Sequence, residues 1–344
     1  MLDNRRIHID KFYTINLKPE KKANDTDIPN NEILQKNLKY IYNNSRSIST
    51  SGSFNTVFSF RGQDKYVLRF MHWRKEYYTD EIYTAYVKDE LKGLRVQSGI
   101  YDTCEEYTCK IYEYGTYDFE DSKSMFCKRD IKLKKGVYAI LEKCGKNLKE
   151  YMEEPNWDNL NELESMNQSK IIIRQVLEAL NCLHNNYKPN NNGHIHGDIK
   201  EDNIMIKRND QGVIQCKLID FGFVGEIGTV RDATGTLGYM HPELVRSVFD
   251  ILGEQYDNKK VEKKPIGQEI DIWAVGIILY NLIHGYFNPK LLKSGCSILE
   301  PDPQKEPAPE WAEKKNLVKI YMKQIDDQCR FDTNIPDFIK MTEH

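Results

Sequence analysis

The stretch HGDIKEDN at 196–203, followed by DFG at 220–222, constrains this chain more than any other feature. His196, Asp198, Lys200, Asn203 and Asp220 bring a candidate base, a cation and two oxygen ligands into one short segment. Carboxylate and amide oxygens suit a hard cation, and an ammonium suits an anionic oxygen. Phosphoryl transfer asks for such a set, because the moving group needs positioning and charge neutralisation more than covalent help. The flanks say how the loop is held. Ile171, Ile172, Val176, Leu177, Leu180 and Leu183 recur at helical spacing before it, and Ile204 to Ile206 read as a strand after it. The fold must therefore carry a charged loop between a buried helix and a strand.

The remainder is organised unevenly. PEKKANDTDIPNNE at 19–32 is polar with two prolines, and is expected to be a flexible lead-in, with order beginning near Leu38. SISTSGSFNTVFSF and KYVLRF read as strands around turns at Gly52 and Arg61-Gly62; a helix is expected from about Tyr77 to Val96, then strands in TCKIYEYG and GVYAILE. A second buried helix follows from Ile272, Val275, Ile278, Leu279 and Leu282. Segments 185–193, 245–268 and 290–314 look like solvated insertions.

At 344 residues, with 40% hydrophobic and 29% charged residues, the chain reads as globular with room for two lobes. A net charge of -3 offers no attraction to nucleic acid, and no stretch reaches the length of a membrane span. The eight cysteines are scattered without a Cys-x-x-Cys pair, so reduced thiols and a cytoplasmic setting are expected. Abundant Asn, Lys, Ile and Tyr suggest AT-rich coding, as in a protist or a large DNA virus; a viral chain would work in host cytoplasm or virion.

HGDIKEDNIMI, LIDFG, GTLGYMHPE and DIWAVG, in this order, resemble the eukaryotic-type protein kinase family, and the likeness runs from about Ser47 to Arg330. It implies an α+β bilobal fold: a small antiparallel-sheet N-lobe with one main helix, at 38–144 after an extension at 1–37, and a larger, mostly helical C-lobe at 145–344. It implies ATP and Mg2+ as cofactors and protein substrates as partners. By the same resemblance Asp198 orients the acceptor hydroxyl and takes its proton, and Lys200 contacts the transferred group. Asn203 and Asp220 hold the metal. Gly52 cradles phosphate, and Val57, Val67, Leu141 and Met205 wall the adenine. Leu141 is the gatekeeper, and the backbone of Glu142 and Cys144 meets the base. Thr236, with Lys200, points to serine or threonine as acceptor. Glu243 is expected to pair with Arg330, and Asp271 to brace the catalytic loop; His196 is expected to pack rather than react.

Two departures stand out. Arg69 occupies the place of the strand lysine, with Glu90 as its expected helix partner and Glu81 as runner-up; Lys65 lies too far along the strand to substitute. Gly197 replaces the arginine that usually reads a phosphate on the activation segment, so activity is expected not to depend on that switch. Thr229 and Thr234 are read as ordinary loop hydroxyls. Competing readings are a pseudokinase, which explains Arg69 but not the intact Asp198, Lys200, Asn203 and Asp220, and a small-molecule kinase, against which GTLGYMHPE and DIWAVG speak. A regulatory role could lean on the basic run KKVEKKP at 259–265.

Overall fold

The structure, a computed structural model, describes residues 4–8, 14–22, 29–44, 55–60, 64–71, 80–119, 126–128, 131–133, 135–209, 211–230, 234–245, 265–284 and 297–298. It divides into two compact units, residues 1–152 with 204–222, and 153–203 with 223–344.

The first unit is built on β1 (Arg5–His8), β2 (Thr14–Lys22), α1 (Asn31–Asn44), β3 (Asn55–Ser59), β4 (Tyr66–Met71), α2 (Asp80–Thr103) and β5 (Ile111–Phe119). After a short hairpin, β6 (Phe126–Lys128) and β7 (Ile131–Leu133), come β8 (Lys135–Glu142), β9 (Lys146–Asn147) and α3 (Leu148–Met152). Six strands form one antiparallel sheet in the order β1-β2-β5-β8-β4-β3. Period-two alternation sorts its side chains. Phe58, Leu68, Phe70, Tyr138 and Ile140 cluster with Leu34 and Leu38 of α1, whereas Ala139 and Leu141 cluster with Tyr83 and Leu94 of α2.

The flexible lead-in expected at 19–32, with order beginning only near Leu38, is therefore corrected where it is described. Ile7, Ile15, Leu17 and Leu34 are buried, and Asn30 caps α1 by accepting from the Ile33 amide at 2.9 Å. Arg5 donates to Glu113 at 2.7 Å, and Tyr138 donates to the other oxygen of that carboxylate at 2.7 Å, all three buried. The proline that argued for a loop, Pro19, sits at a register shift in β2, beyond the four residues that β1 pairs. Proline is tolerated where no ladder bond is needed on one side. Opposite it, a Cβ on Gly115 would lie 2.1 Å from the Lys18 carbonyl oxygen, so only glycine fits there.

The unit boundaries also differ from 38–144 and 145–344. β9 pairs with β11 (Ile204–Arg208), which pairs with β12 (Ile214–Leu218). Thr108 donates to the Leu218 carbonyl at 2.8 Å and Lys217 reaches Glu142 at 3.0 Å, so 146–152 and 204–222 pack with the sheet. Cys109 and Cys144 are joined by a disulfide, contrary to the expectation of reduced thiols there; their Cα atoms are 6.1 Å apart although 35 residues separate them in sequence.

The second unit holds α4 (Pro155–Asp158), α5 (Glu162–Asn181), β10 (His194–Ile195), β13 (Gly225–Glu226), β14 (Gly235–Thr236), α6 (Glu269–His284) and β15 (Ser297–Ile298). Asn161 and Glu164 close a reciprocal capping box at the start of α5. Ile172, Val176 and Leu180 form its buried face. α5 packs against α6, and the catalytic loop runs from β10 into a 3-10 turn at Glu201–Asn203.

Candidate active site

Each unit gathers its own share of the residues singled out above. In the first, Val57 lies opposite Arg69, Arg69 opposite Ala139, and Val67 opposite Leu141. Directly paired residues on antiparallel strands share a face, so Val57, Val67, Arg69 and Leu141 line the α2 side of the sheet. Arg69 is hydrogen-bonded to Glu90 of α2, their side chains only 13% and 12% exposed. Glu81 is exposed. Helix geometry explains the choice: Glu90 lies one turn before buried Leu94, on the face turned to the sheet. Burial pushes the Glu90 carboxyl above its ordinary value of 4.5, Arg69 opposes that shift, and the negative charge of Asp220 adds to it.

Asp220 has φ of +64°, a left-handed conformation that Asp tolerates better than most side chains and that concentrates at functional sites. A Cβ on Gly222 would lie 3.4 Å from an Asp220 oxygen and 3.9 Å from a Glu90 oxygen, which places the two carboxylates close together. When both are ionised, Arg69 offsets one of the two charges. The remaining carboxylate fits a hard cation. At the hinge, Glu142 and Lys143 donate their amides to Lys110 and Lys65 carbonyls at 2.9 and 3.0 Å, and Cys144 is buried. Lys65 stacks its ammonium over Tyr66 and Tyr112. Met205 is half-buried on β11, and Gly52 lies outside the described residues.

In the second unit the catalytic loop closes on itself. Lys200 donates to Asp198 at 2.7 Å and to the Thr236 hydroxyl at 2.8 Å, and that hydroxyl donates to the other Asp198 oxygen at 2.7 Å. Asn203 donates its amide to the Asp198 carbonyl at 2.8 Å, which turns its Oδ1 away as an acceptor for a cation. Burial works against ionising Asp198. Lys200 and Thr236 outweigh it and hold the carboxyl below its ordinary value of 3.8. The loop backbone hangs on α6: Asp271 accepts the amides of His196 at 2.7 Å and Gly197 at 2.9 Å. It also meets His184 at 2.8 Å, a contact that no spacing in the sequence had singled out. Gly197 has φ of +80°, which glycine adopts without steric cost. His196 is fully buried, as a packing residue would be. Thr229 is exposed and bonds the Glu226 carbonyl. Glu243 is exposed, while Arg330 lies outside the described residues.

The family model for the protein kinase domain matches residues 122–302, just over half of the chain. The chain belongs to the protein kinase family. The rat phosphorylase b kinase gamma catalytic chain, liver/testis isoform, is 30% identical over 175 residues, 48% of this chain and 38% of the relative. The calcium/calmodulin-dependent protein kinase type II alpha chain of Drosophila melanogaster is 32% identical over 156 residues, 42% of this chain and 25% of the relative. The match thus spans well under half of either relative's length. Among solved structures, the Cydia pomonella granulovirus kinase aligns over 74% of this chain and 75% of its own, with TM-score 0.41 and 16% identity. The kinase fold expected from the motifs, with an antiparallel-sheet N-lobe and a helical C-lobe, is the one this chain adopts. The motif reading passed over Glu201, a buried acid inside the catalytic loop.

Proposed function

We propose that this kinase transfers the γ-phosphoryl group of magnesium-ATP to serine or threonine hydroxyls of protein substrates. The observation that carries this reading is the closed set of hydrogen bonds among Asp198, Lys200 and Thr236. Asp198, held ionised, orients the acceptor hydroxyl and takes its proton late in transfer. Lys200 neutralises oxygens of the moving group as its bond to the ADP oxygen breaks and the bond to the acceptor oxygen forms. Thr236 accepts from Lys200 and donates to the other Asp198 oxygen, and so holds the paired side chains in one orientation. Asp220 in the first unit and Asn203 in the second would each offer a side-chain oxygen to magnesium, whose chemistry there would be to neutralise phosphate charge. Arg69, steered by Glu90, supplies the cation that a lysine usually brings; its planar fork can hold the carboxylate and still present an N–H to phosphate.

Transfer of labelled phosphate from magnesium-ATP to a basic serine peptide by the purified chain tests this. Asp198→Ala is expected to lower kcat by about 100-fold or more, and Arg69→Ala to lower kcat/KM for ATP by about 100-fold. Nucleotide-dependent thermal stabilisation with no transfer, in wild type and Asp198→Ala alike, would instead establish a pseudokinase.

A further inference from the structure

Glu201 is 1% exposed, and the chemistry above does not use it. Its Oε2 accepts from the Tyr239 hydroxyl, and its Oε1 accepts from the Asn281 side-chain amide at 2.7 Å. Tyr239 and Asn281 are themselves 5% and 1% exposed. Burying a carboxylate costs more than burying an apolar side chain of similar volume, so mere filling of this position does not account for an acid. Both oxygens are spent on neutral donors from two other elements: the segment ending in Pro242-Glu243, and α6. The carboxylate is thus a three-way junction rather than a ligand for basic substrate residues.

Its position in the chain gives the junction a consequence. The catalytic loop and segment 234–240 meet twice. Thr236 joins Asp198 and Lys200, and three residues on Tyr239 joins Glu201. Just before the first tie the backbones run so close that a Cβ on Gly235 would lie 2.7 Å from the Gly197 carbonyl oxygen. One tie leaves a segment free to swivel; two, spaced by a 3-10 turn at Leu237–Tyr239, fix its register. α6 anchors the same loop at both ends, through Asp271 at His196 and Gly197 and through Asn281 at Glu201. Ten residues of helix separate those anchors by about 15 Å. Segment 234–240 also walls a recess with Asp198, Ile199, Leu244 and Ile270, beside the carboxylate that receives the acceptor hydroxyl.

Resting on the kinase reading above, we propose that Glu201 is a positioning residue for the protein substrate: by tying Tyr239 and Asn281 to the catalytic loop, it sets segment 234–240 against Asp198. The acceptor chain then meets a preformed surface, and the nucleotide does not depend on the tie.

The test uses the full chain, a serine peptide and magnesium-ATP, with KM taken separately for each. Glu201→Ala and Tyr239→Phe are expected to raise peptide KM at least fivefold while ATP KM stays within about twofold. Glu201→Gln is expected to stay within about twofold of wild type in peptide KM, because its amide keeps an acceptor for Asn281 and a partner for Tyr239. Amide exchange at 237–240 is expected to quicken at least tenfold in Glu201→Ala. An unchanged peptide KM, a parallel rise in both KM values, or a Gln variant no better than Ala overturns the proposal. If the wild type phosphorylates no peptide, the kinase reading fails, and exchange at 237–240 then decides the tie by itself: no quickening sinks it. Should Glu201→Ala not fold, Tyr239→Phe, which removes one oxygen, supports the same comparisons.

Discussion

Asp198 shows how far a single side chain's state is set by its neighbours. Buried without them it would resist ionisation; with Lys200 and Thr236 its carboxyl sits below 3.8, so it is charged at neutral pH. Because the folded value is depressed, ionised Asp198 stabilises the native state above the unfolded value, and that contribution is lost as pH falls through the folded one. Denaturant midpoints of wild type and Asp198→Asn should therefore differ most near about pH 7 and converge below about pH 4; a gap that does not vary with pH would refute the assignment. Asp198, Lys200, Asn203 and Thr236 were all legible as residues, since their spacing is a local property of the chain. The Glu201 junction was not, because its partners stand 38 and 80 residues away.

At the scale of elements, the N-terminal extension departs furthest from its sequence reading. Ile15 and Leu17 alternate as a strand should, and Pro29-Asn30 precede the helix as a cap would, but both signals are short and sit among charged residues. Their meaning comes from the sheet, whose second face offers Phe58, Leu68 and Phe70 to α1. Leu34→Ala should cost about 3 kcal/mol in chemical denaturation, as for a fully buried leucine. Removing residues 1–44 should expose that aromatic face, seen as increased binding of a hydrophobic dye and loss of the cooperative transition; a truncated chain that unfolds like the full one would show the extension to be dispensable. The hairpin and helix order that follows was legible, because strands and buried helices repeat with periods of two and 3.6.

For the whole molecule, the proposed function assigns most of its nucleotide contacts to the first unit and the acceptor chemistry to the second. Arg69, Glu90 and Asp220 belong to the first, and Asp198, Lys200 and Thr236 to the second. Nucleotide binding and transfer should then separate by mutation. Asp198→Ala should keep the rise in Tm that magnesium-ATP produces to within about 2 °C, whereas Arg69→Ala should lose most of it. Equal losses in both variants would contradict that separation.

The sequence by itself determined the kinase fold class and where the catalytic loop lies, because these rest on residues within a few positions of one another. Glu90 as the partner of Arg69 is already the expectation from spacing, and the structure pairs the two; tertiary structure alone decided that residues 204–222 pack with the sheet, that Cys109 bonds Cys144, and that Glu201 joins three elements. Each of these depends on contacts between residues far apart in the chain, where spacing carries no information and only packing selects the partner.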